Sequence, residues 1–180
     1  AMSKKEVYLF KEKEYVFYDV DVSTKEIESQ RINVLKNIEN ADFIVASVAS
    51  AMQYTLLKEE FEKYTKKIKV SDIINPETLL TNLINMGYKR VSTVEGECQF
   101  SKRGSIFDIY LPGDSLGTRI EFFDDEVDTI RKFDINSQIS EGQIEEITLS
   151  PARELIFNEE LKLNVIKKIK AQKNENLNQD

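Results

Sequence analysis

The chain has 180 residues, of which 41% are hydrophobic, and this is enough for one domain or two small ones with a modest core. It contains no histidine, the commonest metal ligand and the usual general base near neutral pH, which excludes serine-histidine and cysteine-histidine catalysis. The formal net charge of −7 argues against strong non-specific binding of nucleic acid by the chain as a whole.

The chain opens with two β-like stretches and a helix signal. Val7 to Phe10 and Tyr15 to Tyr18 are predicted strands, separated by a charged turn. The run Ser23-Thr24-Lys25-Glu26 fits a capping box, in which the serine hydroxyl and the glutamate carboxylate satisfy free backbone N–H groups at a helix start. The apolar residues that would then face a core are Ile27, Ile32 and Leu35.

The next segment, DFIVASVAS from Asp42 to Ser50, is short, apolar and rich in β-branched residues. Such a run fits a strand that is buried on both sides in a parallel sheet. The succession of strand, helix and strand therefore indicates part of an α/β layer. We expect this layer to extend from Ala1 to about Thr65.

From about Lys66 the pattern changes to a strand, a helix and then several short strands. KIKV is β-like, Asn75-Pro76-Glu77 supplies an N-cap, a proline at N1 and an early acid, and Gly87 stands where a helix-ending glycine belongs. The helical spacing is carried by Leu79, Leu80, Leu83 and Ile84. The predicted strands after this helix are Arg90 to Val94, Glu97 to Arg103, Ile106 to Leu111, Thr118 to Phe123, Thr129 to Phe133 and Ile144 to Leu149. This order favours an antiparallel meander packed on the helix.

The last segment, Asn158 to Lys173, has the pattern of an amphipathic helix with acids first and lysines last. Neither end of the chain has the pattern of a natural domain boundary, so we expect a fragment of a longer protein, with Ala1 as a cloning remnant. The fold class expected from all these elements is α/β plus α+β.

The sequence lacks the patterns of cofactor and metal sites, of membrane spans and of disulfide-bonded proteins. It has no glycine-rich phosphate loop, no cysteine pair at zinc spacing and no internal repeat, so we expect no cofactor and no metal. No apolar run approaches the roughly 20 residues of a membrane span, and Ala1 to Lys5 has neither the apolar core nor the cleavage pattern of a signal peptide. The single cysteine, Cys98, cannot form an internal disulfide, in agreement with a reducing compartment. We expect a soluble cytoplasmic protein that does not contact a membrane.

Two adjacent phenylalanines in RIEFFDDEVDTIRKFD, from Arg119 to Asp134, stand directly before a run of acids. Strand alternation places Arg119 and Phe123 on one face and Ile120 with Phe122 on the other, where they can pack on the predicted helix. Phe123 is then either an exposed apolar anchor for a partner or a ring at a strand end that folds under its neighbours. The pattern alone leaves both alternatives open.

Arg103 is predicted to lie on the face of its strand that also carries Gln99 and Ser101. The neighbouring Gly104 permits a bulge that would re-aim the arginine side chain. Three interpretations remain: a guanidinium that binds a partner carboxylate, a solvated arginine on the strand, or an arginine paired internally with Glu121.

The acidic run could in principle hold a hard cation, but it lacks the ligand spacing of a calcium loop, which favours a solvated turn between two strands. Its members are Asp124, Asp125, Glu126 and Asp128.

Cys98 and Phe100 are expected to point to the core, with Cys98 as a small buried residue rather than a reactive thiol.

Four motifs in fixed order, GYKRV, GECQFSKRGSIFDIY, RIEFFDDEVDTIRKFD and PARE, lie between Met86 and Glu154. Together they resemble the UvrB-homology module of bacterial transcription-repair coupling factor, and YDVDVSTKEIESQRINVL and FIVASVASAMQ extend the resemblance over nearly the whole chain. UvrB itself shares much of this module. Its tyrosine-rich DNA-binding hairpin and Walker A loop are missing here, so the coupling factor is preferred.

The resemblance implies a degenerate, partial helicase-like domain with a smaller domain inserted in it that binds the repair protein UvrA. The expected boundaries are 1–65 for the first part, 66–150 for the insertion and 151–180 for the return. The family's UvrA-contacting residues fall on Arg103, Arg119 and Phe123, and Arg131-Lys132 would extend the same basic rim. Translocation and polymerase binding belong to other parts of the family protein, so the resemblance implies no catalysis here.

The expected partners are therefore UvrA and other domains of the same parent protein, with DNA binding weak or absent. Two alternatives from other classes remain open. A DNA-binding accessory domain would lose affinity steeply with salt, and a carboxylate metal hydrolase would need bound metal.

Overall fold

The computed structural model describes residues 5–13 and 22–156. These residues form a mixed α and β structure dominated by strands, which confirms the general α+β class. The predicted strand Tyr15 to Tyr18 and the predicted helix Asn158 to Lys173 lie outside the described residues. None of the helices within 5–13 and 22–156 is long and apolar enough to cross a membrane.

Helices and strands follow one another in a mixed order along the described residues. The helices are α1 (Val22–Lys36), α2 (Val48–Met52), α3 (Lys58–Tyr64) and α4 (Pro76–Asn85). The strands are β1 (Val7–Phe10), β2 (Phe43–Ala46), β3 (Lys66–Lys69), β4 (Lys89–Arg90), β5 (Gln99–Arg103), β6 (Ile106–Tyr110), β7 (Gly117–Phe123), β8 (Glu126–Phe133), β9 (Ser140–Ile144) and β10 (Glu146–Leu149).

β1 and β2 form a two-stranded parallel sheet, which confirms β1 at its predicted bounds and the parallel arrangement. The expectation that DFIVASVAS is one strand buried on both sides is wrong. Only Phe43–Ala46 is a strand, and all four of its residues are exposed. The strand stops there because the Ser47 side chain accepts the backbone N–H of Ser50 at 3.0 Å and caps α2.

Helix α1 begins two residues earlier than the capping box predicts, since an N-cap at Ser23 would make Thr24 the first helical residue. Since the helix starts at Val22, Ser23 lies inside its first turn rather than at the N-cap. Three residues of this helix were expected to face the core. Ile32 is fully buried, as expected, whereas Ile27 and Leu35 are only half-buried.

Helix α4 confirms the local signals that predicted it. The Asn75 side-chain oxygen accepts the backbone N–H groups of Glu77 at 2.9 Å and Thr78 at 3.2 Å, and a proline occupies the first turn. After the helix, Gly87 has a φ of +92°, a conformation that glycine adopts without steric cost. The caps at both ends thus fix the bounds of α4.

A six-stranded sheet with the order β4-β5-β6-β7-β8-β9 forms the larger part of the structure. All neighbours are antiparallel except β4 and β5, which pair in parallel, so the predicted meander is confirmed from β5 onward. The predicted strand Ile144 to Leu149 is divided, because its second half leaves this sheet to pair with β3 as β10.

Helix α4 covers one face of the six-stranded sheet. Its buried Leu79 and Leu83 pack in the same core cluster as Ile120 and Phe122, which confirms the inward half of the predicted alternation. The rings of Phe107 and Phe122 meet edge to face with centroids 5.6 Å apart. Burying a side chain of this size stabilises the fold by about 1.5–3 kcal/mol. The opposite face of the sheet is therefore the one left for other contacts.

A buried ion pair joins helix α1 to the residues that follow β10. The Glu154 carboxylate accepts the Nε–H of Arg31 at 2.8 Å, and both side chains are completely buried. Lys13 contacts the same carboxylate, and the Thr55 hydroxyl donates to it at 3.3 Å. The Arg31 guanidinium also lies 3.8 Å from the centre of the Phe10 ring. Glu154 therefore connects its own segment to three others, at Lys13, Arg31 and Thr55.

A second contact joins α1 to the sheet. Asp114, in the loop before β7, accepts hydrogen bonds from Lys36 of α1 at 3.0 Å and from Lys132 of β8 at 2.8 Å. Partial burial acts to raise the pKa of Asp114, but the two lysines outweigh it and hold this pKa below its usual value.

Candidate protein-binding site

The candidate site lies on the face of the six-stranded sheet opposite α4, here called the polar face. The strand register sets Ser101 beside Asp108, Asp108 beside Arg119, and Arg119 beside Arg131. Cross-strand partners in a sheet point to the same side. The members of the polar face are Gln99, Ser101, Arg103, Asp108, Arg119, Glu121, Phe123 and Arg131.

Asp108 lies at the centre of the polar face and binds both predicted arginines. Its carboxylate, only 1% exposed, accepts the Nη2–H of Arg103 at 2.5 Å. It also accepts the Nε–H of Arg119 at 2.6 Å and the Nη2–H at 3.1 Å. The hydrogen bond to Asp108 raises the pKa of Arg119. The two guanidiniums thus converge on one buried acid and lie on the same side of the sheet.

The interpretation in which Arg103 pairs internally with Glu121 is wrong. Arg103 pairs with Asp108, while Glu121 is 3.8 Å from the guanidinium of Arg131. The expected bulge at Gly104 is also wrong, because Gly104, with a φ of +61°, lies in the two-residue turn that joins β5 to β6. Arg103 is aimed by the strand pairing itself, and its side chain remains 52% exposed.

Arg119 is held more tightly than Arg103. Besides its two bonds to Asp108, its guanidinium lies 4.9 Å from the centre of the Phe133 ring. That ring occupies the space beside Gly117, where an added Cβ would come within 2.3 Å of it. Arg119 is consequently a pre-organised group, because little side-chain freedom is left to lose when it binds a partner.

Phe123 is 73% exposed, whereas Phe122 and Ile120 are buried. The alternative in which the Phe123 ring folds under its neighbours is therefore wrong. β7 ends at Phe123, and the chain reverses through Asp124, which has a φ of +53°, and Asp125. The ring projects beside this hairpin turn and lies on the polar face.

The acids after Phe123 are divided between the turn and the next strand. Asp124 and Asp125 form the hairpin turn, as predicted, while Glu126 and Asp128 belong to β8. In the part of the chain that the structure describes, no group of three or more acidic or cysteine side chains is arranged to hold a metal ion.

Of the two residues predicted to extend the basic rim, the structure places one on the polar face. Arg131 lies on the polar face next to Arg119. Lys132 points to the other side and bonds to Asp114 and to the Thr118 hydroxyl at 3.0 Å. On the polar face, Arg103 and Arg119 are therefore paired with Asp108, and Arg131 lies beside Glu121.

Cys98 is half-buried, with a φ of +60°, immediately before β5. Burial raises the pKa of its thiol to about 12, although a hydrogen bond to Ser29 acts in the opposite direction. The thiol is thus protonated at neutral pH, as expected for a small core residue and not for a nucleophile. Phe100, the next core residue, is fully buried as predicted.

Residues 67–155 match the UvrB interaction domain family, so the sheet, α4 and the polar face belong to an interaction domain. The chain is similar to the transcription-repair-coupling factor of Bacillus subtilis (strain 168), with 33% identity over 170 residues, 93% of this chain and 14% of that protein. The same-named protein of Staphylococcus aureus (strain bovine RF122 / ET3-1) is 30% identical over 159 residues, 87% of this chain and 13% of that protein.

These comparisons confirm the family that the four motifs indicate: the chain carries the UvrB interaction domain of transcription-repair-coupling factors. The chain spans only about one seventh of the length of these relatives. Arg103, Arg119 and Phe123 all lie within the matched residues 67–155.

Proposed function

We propose that this chain is the UvrA-recruiting module of a transcription-repair coupling factor, acting in transcription-coupled nucleotide excision repair. It docks onto UvrA through the polar face, with Arg103, Arg119 and Phe123 as the main contacts. The observation that carries this proposal is the exposed Phe123 ring, which stands on the same face as two arginines fixed by one buried carboxylate.

The physical features of the polar face support a protein partner. Protein interfaces are enriched in aromatic side chains and arginine, and a few such residues carry most of the binding energy. Asp108 engages one nitrogen of Arg103, and a guanidinium has five N–H donors. Arg103 therefore retains the capacity for a paired hydrogen bond to a partner carboxylate. The partner surface should accordingly be acidic around an apolar pocket.

The remaining assignments rest on the family resemblance. Residues 1–65 would be part of a degenerate helicase-like layer, 66–150 the inserted domain and 151–180 the return segment. The parallel β1 and β2 pair supports the first of these assignments, because parallel pairs are typical of α/β layers. The module works in the cytoplasm by recruitment, without catalysis, and contacts other domains of the same parent protein.

Replacing Phe123 with alanine should weaken UvrA binding by about 2 kcal/mol, or roughly 30-fold in Kd. The fold should be unaffected because the ring is largely exposed. Isothermal titration calorimetry with the cognate UvrA measures the change. Phe43→Ala is the matched control, since Phe43 is 58% exposed on β2, away from the polar face. An equal loss in both variants, or no loss in either, contradicts the proposal.

A DNA-binding accessory domain is the second candidate, and the three arginines of the polar face are the observation in its favour. Two carboxylates are interleaved with these arginines, and this arrangement repels phosphate. We therefore expect weak or absent DNA binding. A gel-shift titration with duplex DNA at two salt concentrations distinguishes the candidates, because phosphate binding falls steeply with salt.

A further inference from the structure

A second exposed apolar side chain stands beside Phe123. Ile73, in the loop between β3 and α4, is 74% exposed, which is as much as Phe123. It pairs with Glu126 through an isolated antiparallel bridge, and Glu126 pairs on its other side with Phe123. Paired residues point to the same side of a sheet, so Ile73, Glu126 and Phe123 form one row on the polar face.

The alternation of neighbouring side chains agrees with this placement. Ile74, the next residue, is packed against the core cluster, as Phe122 and Val127 are on the adjacent strands. Ile73 must then point away from the core. With strands roughly 4.8 Å apart, the backbones of Ile73 and Phe123 are separated by about 10 Å, a distance that a single partner surface can cover.

The backbone around Ile73 is tightly held. Ser71 donates its N–H to the Val127 carbonyl at 2.8 Å, and Ile74 donates to the Asp125 carbonyl at 2.7 Å. The Val127 N–H returns a bond to the Asp72 carbonyl at 2.9 Å. Ser71 adopts a φ of +68° in this loop. Three backbone bonds thus attach the loop to the Phe123 hairpin and fix Ile73 in water beside the ring.

We infer that Ile73 is a second apolar contact for UvrA, so that the docking surface extends from the three arginines across Phe123 to the β3–α4 loop. This inference rests on the proposed function. A rigid aliphatic group next to an aromatic anchor widens the apolar centre of an interface without an ordering cost on binding. Glu126, between the two, is then placed to meet a cationic group of UvrA.

The test compares Ile73→Ala with Ile139→Ala in calorimetric titrations against UvrA. Ile139 is 65% exposed in the connection between β8 and β9, so it is a matched control of the same residue type and similar exposure. We expect Ile73→Ala to weaken binding about fivefold to tenfold and Ile139→Ala to leave it unchanged. Ile73→Met, which keeps an apolar side chain, should bind within about twofold of the unchanged protein. Thermal unfolding of each variant confirms an intact fold.

The outcomes separate the inference from the proposed function. If Phe123→Ala weakens binding while Ile73→Ala and Ile139→Ala both behave as the unchanged protein, the inference about Ile73 is overturned and the docking proposal stands. If Phe123→Ala and Ile73→Ala are both without effect, the docking proposal itself fails. A loss for Ile73→Ala together with Phe123→Ala, and none for Ile139→Ala, supports both.

Discussion

Replacing Glu154 with alanine is expected to lower the free energy of unfolding by about 3–5 kcal/mol. The substitution leaves the guanidinium of Arg31, which is completely buried, without its counter-charge. It also removes the acceptor for Lys13 and Thr55, so the segments that meet at this carboxylate lose their common contact. Urea-induced unfolding measures the free energy, and the thermal midpoint should fall by roughly 10 °C.

Two further variants identify the buried charge as the cause. Glu39→Ala removes the same charge from an exposed pair with Lys58, and we expect its thermal midpoint to stay close to that of the unchanged protein. The double variant Arg31→Met/Glu154→Leu replaces the pair with apolar groups and should recover most of the lost stability. A Glu154→Ala protein as stable as the Glu39→Ala protein contradicts this account.

Replacing Asp108 with asparagine is expected to weaken UvrA binding about tenfold, although it removes a negative charge from a face that meets an acidic partner. The buried carboxylate fixes the guanidiniums of Arg103 and Arg119, and asparagine cannot accept three charge-assisted hydrogen bonds in the same geometry. The loss should appear mainly in the dissociation rate, measured by surface plasmon resonance.

Glu121→Gln is the matched control, since it removes one negative charge from the same face at a carboxylate that lies 3.8 Å from the guanidinium of Arg131. If net charge alone governs binding, both variants should bind UvrA more tightly and to a similar degree. If Asp108 positions the arginines, the two variants change the affinity in different directions or to very different extents. Tighter binding by Asp108→Asn contradicts the positioning role.

The elements that the sequence predicts well are those whose signals are local. Helix α4 is set by Asn75, Pro76 and Gly87, all within a few residues of its ends. The burial of β2 could not be predicted, because it depends on what lies across the sheet and not on the strand's own residues. An apolar β-branched run is typical of a buried strand, yet Phe43 to Ala46 is exposed on a sheet of two strands.

In the candidate site, too, the features set by one strand's own sequence could be predicted, and those set by contacts between strands could not. Alternation along one strand places Arg119 and Phe123 together, and the structure agrees. The acid that binds the arginines lies on the adjacent strand, so its role could not be read from either arginine's own neighbours. The sequence did contain one signal for this role: Asp108 is a single acid among apolar residues in IFDIY, and a buried carboxylate requires partners. Ile73 and the Arg31–Glu154 pair depend on contacts between distant segments and gave no local signal.

The central claim is that an exposed ring and fixed arginines on one face of the sheet bind UvrA. Calorimetric titration of UvrA with the unchanged chain and with the Arg119→Ala/Phe123→Ala double variant tests it most directly. The account predicts clear binding by the unchanged chain and a loss of at least 30-fold in the double variant, with both proteins folded by circular dichroism. Equal affinities for the two proteins contradict it.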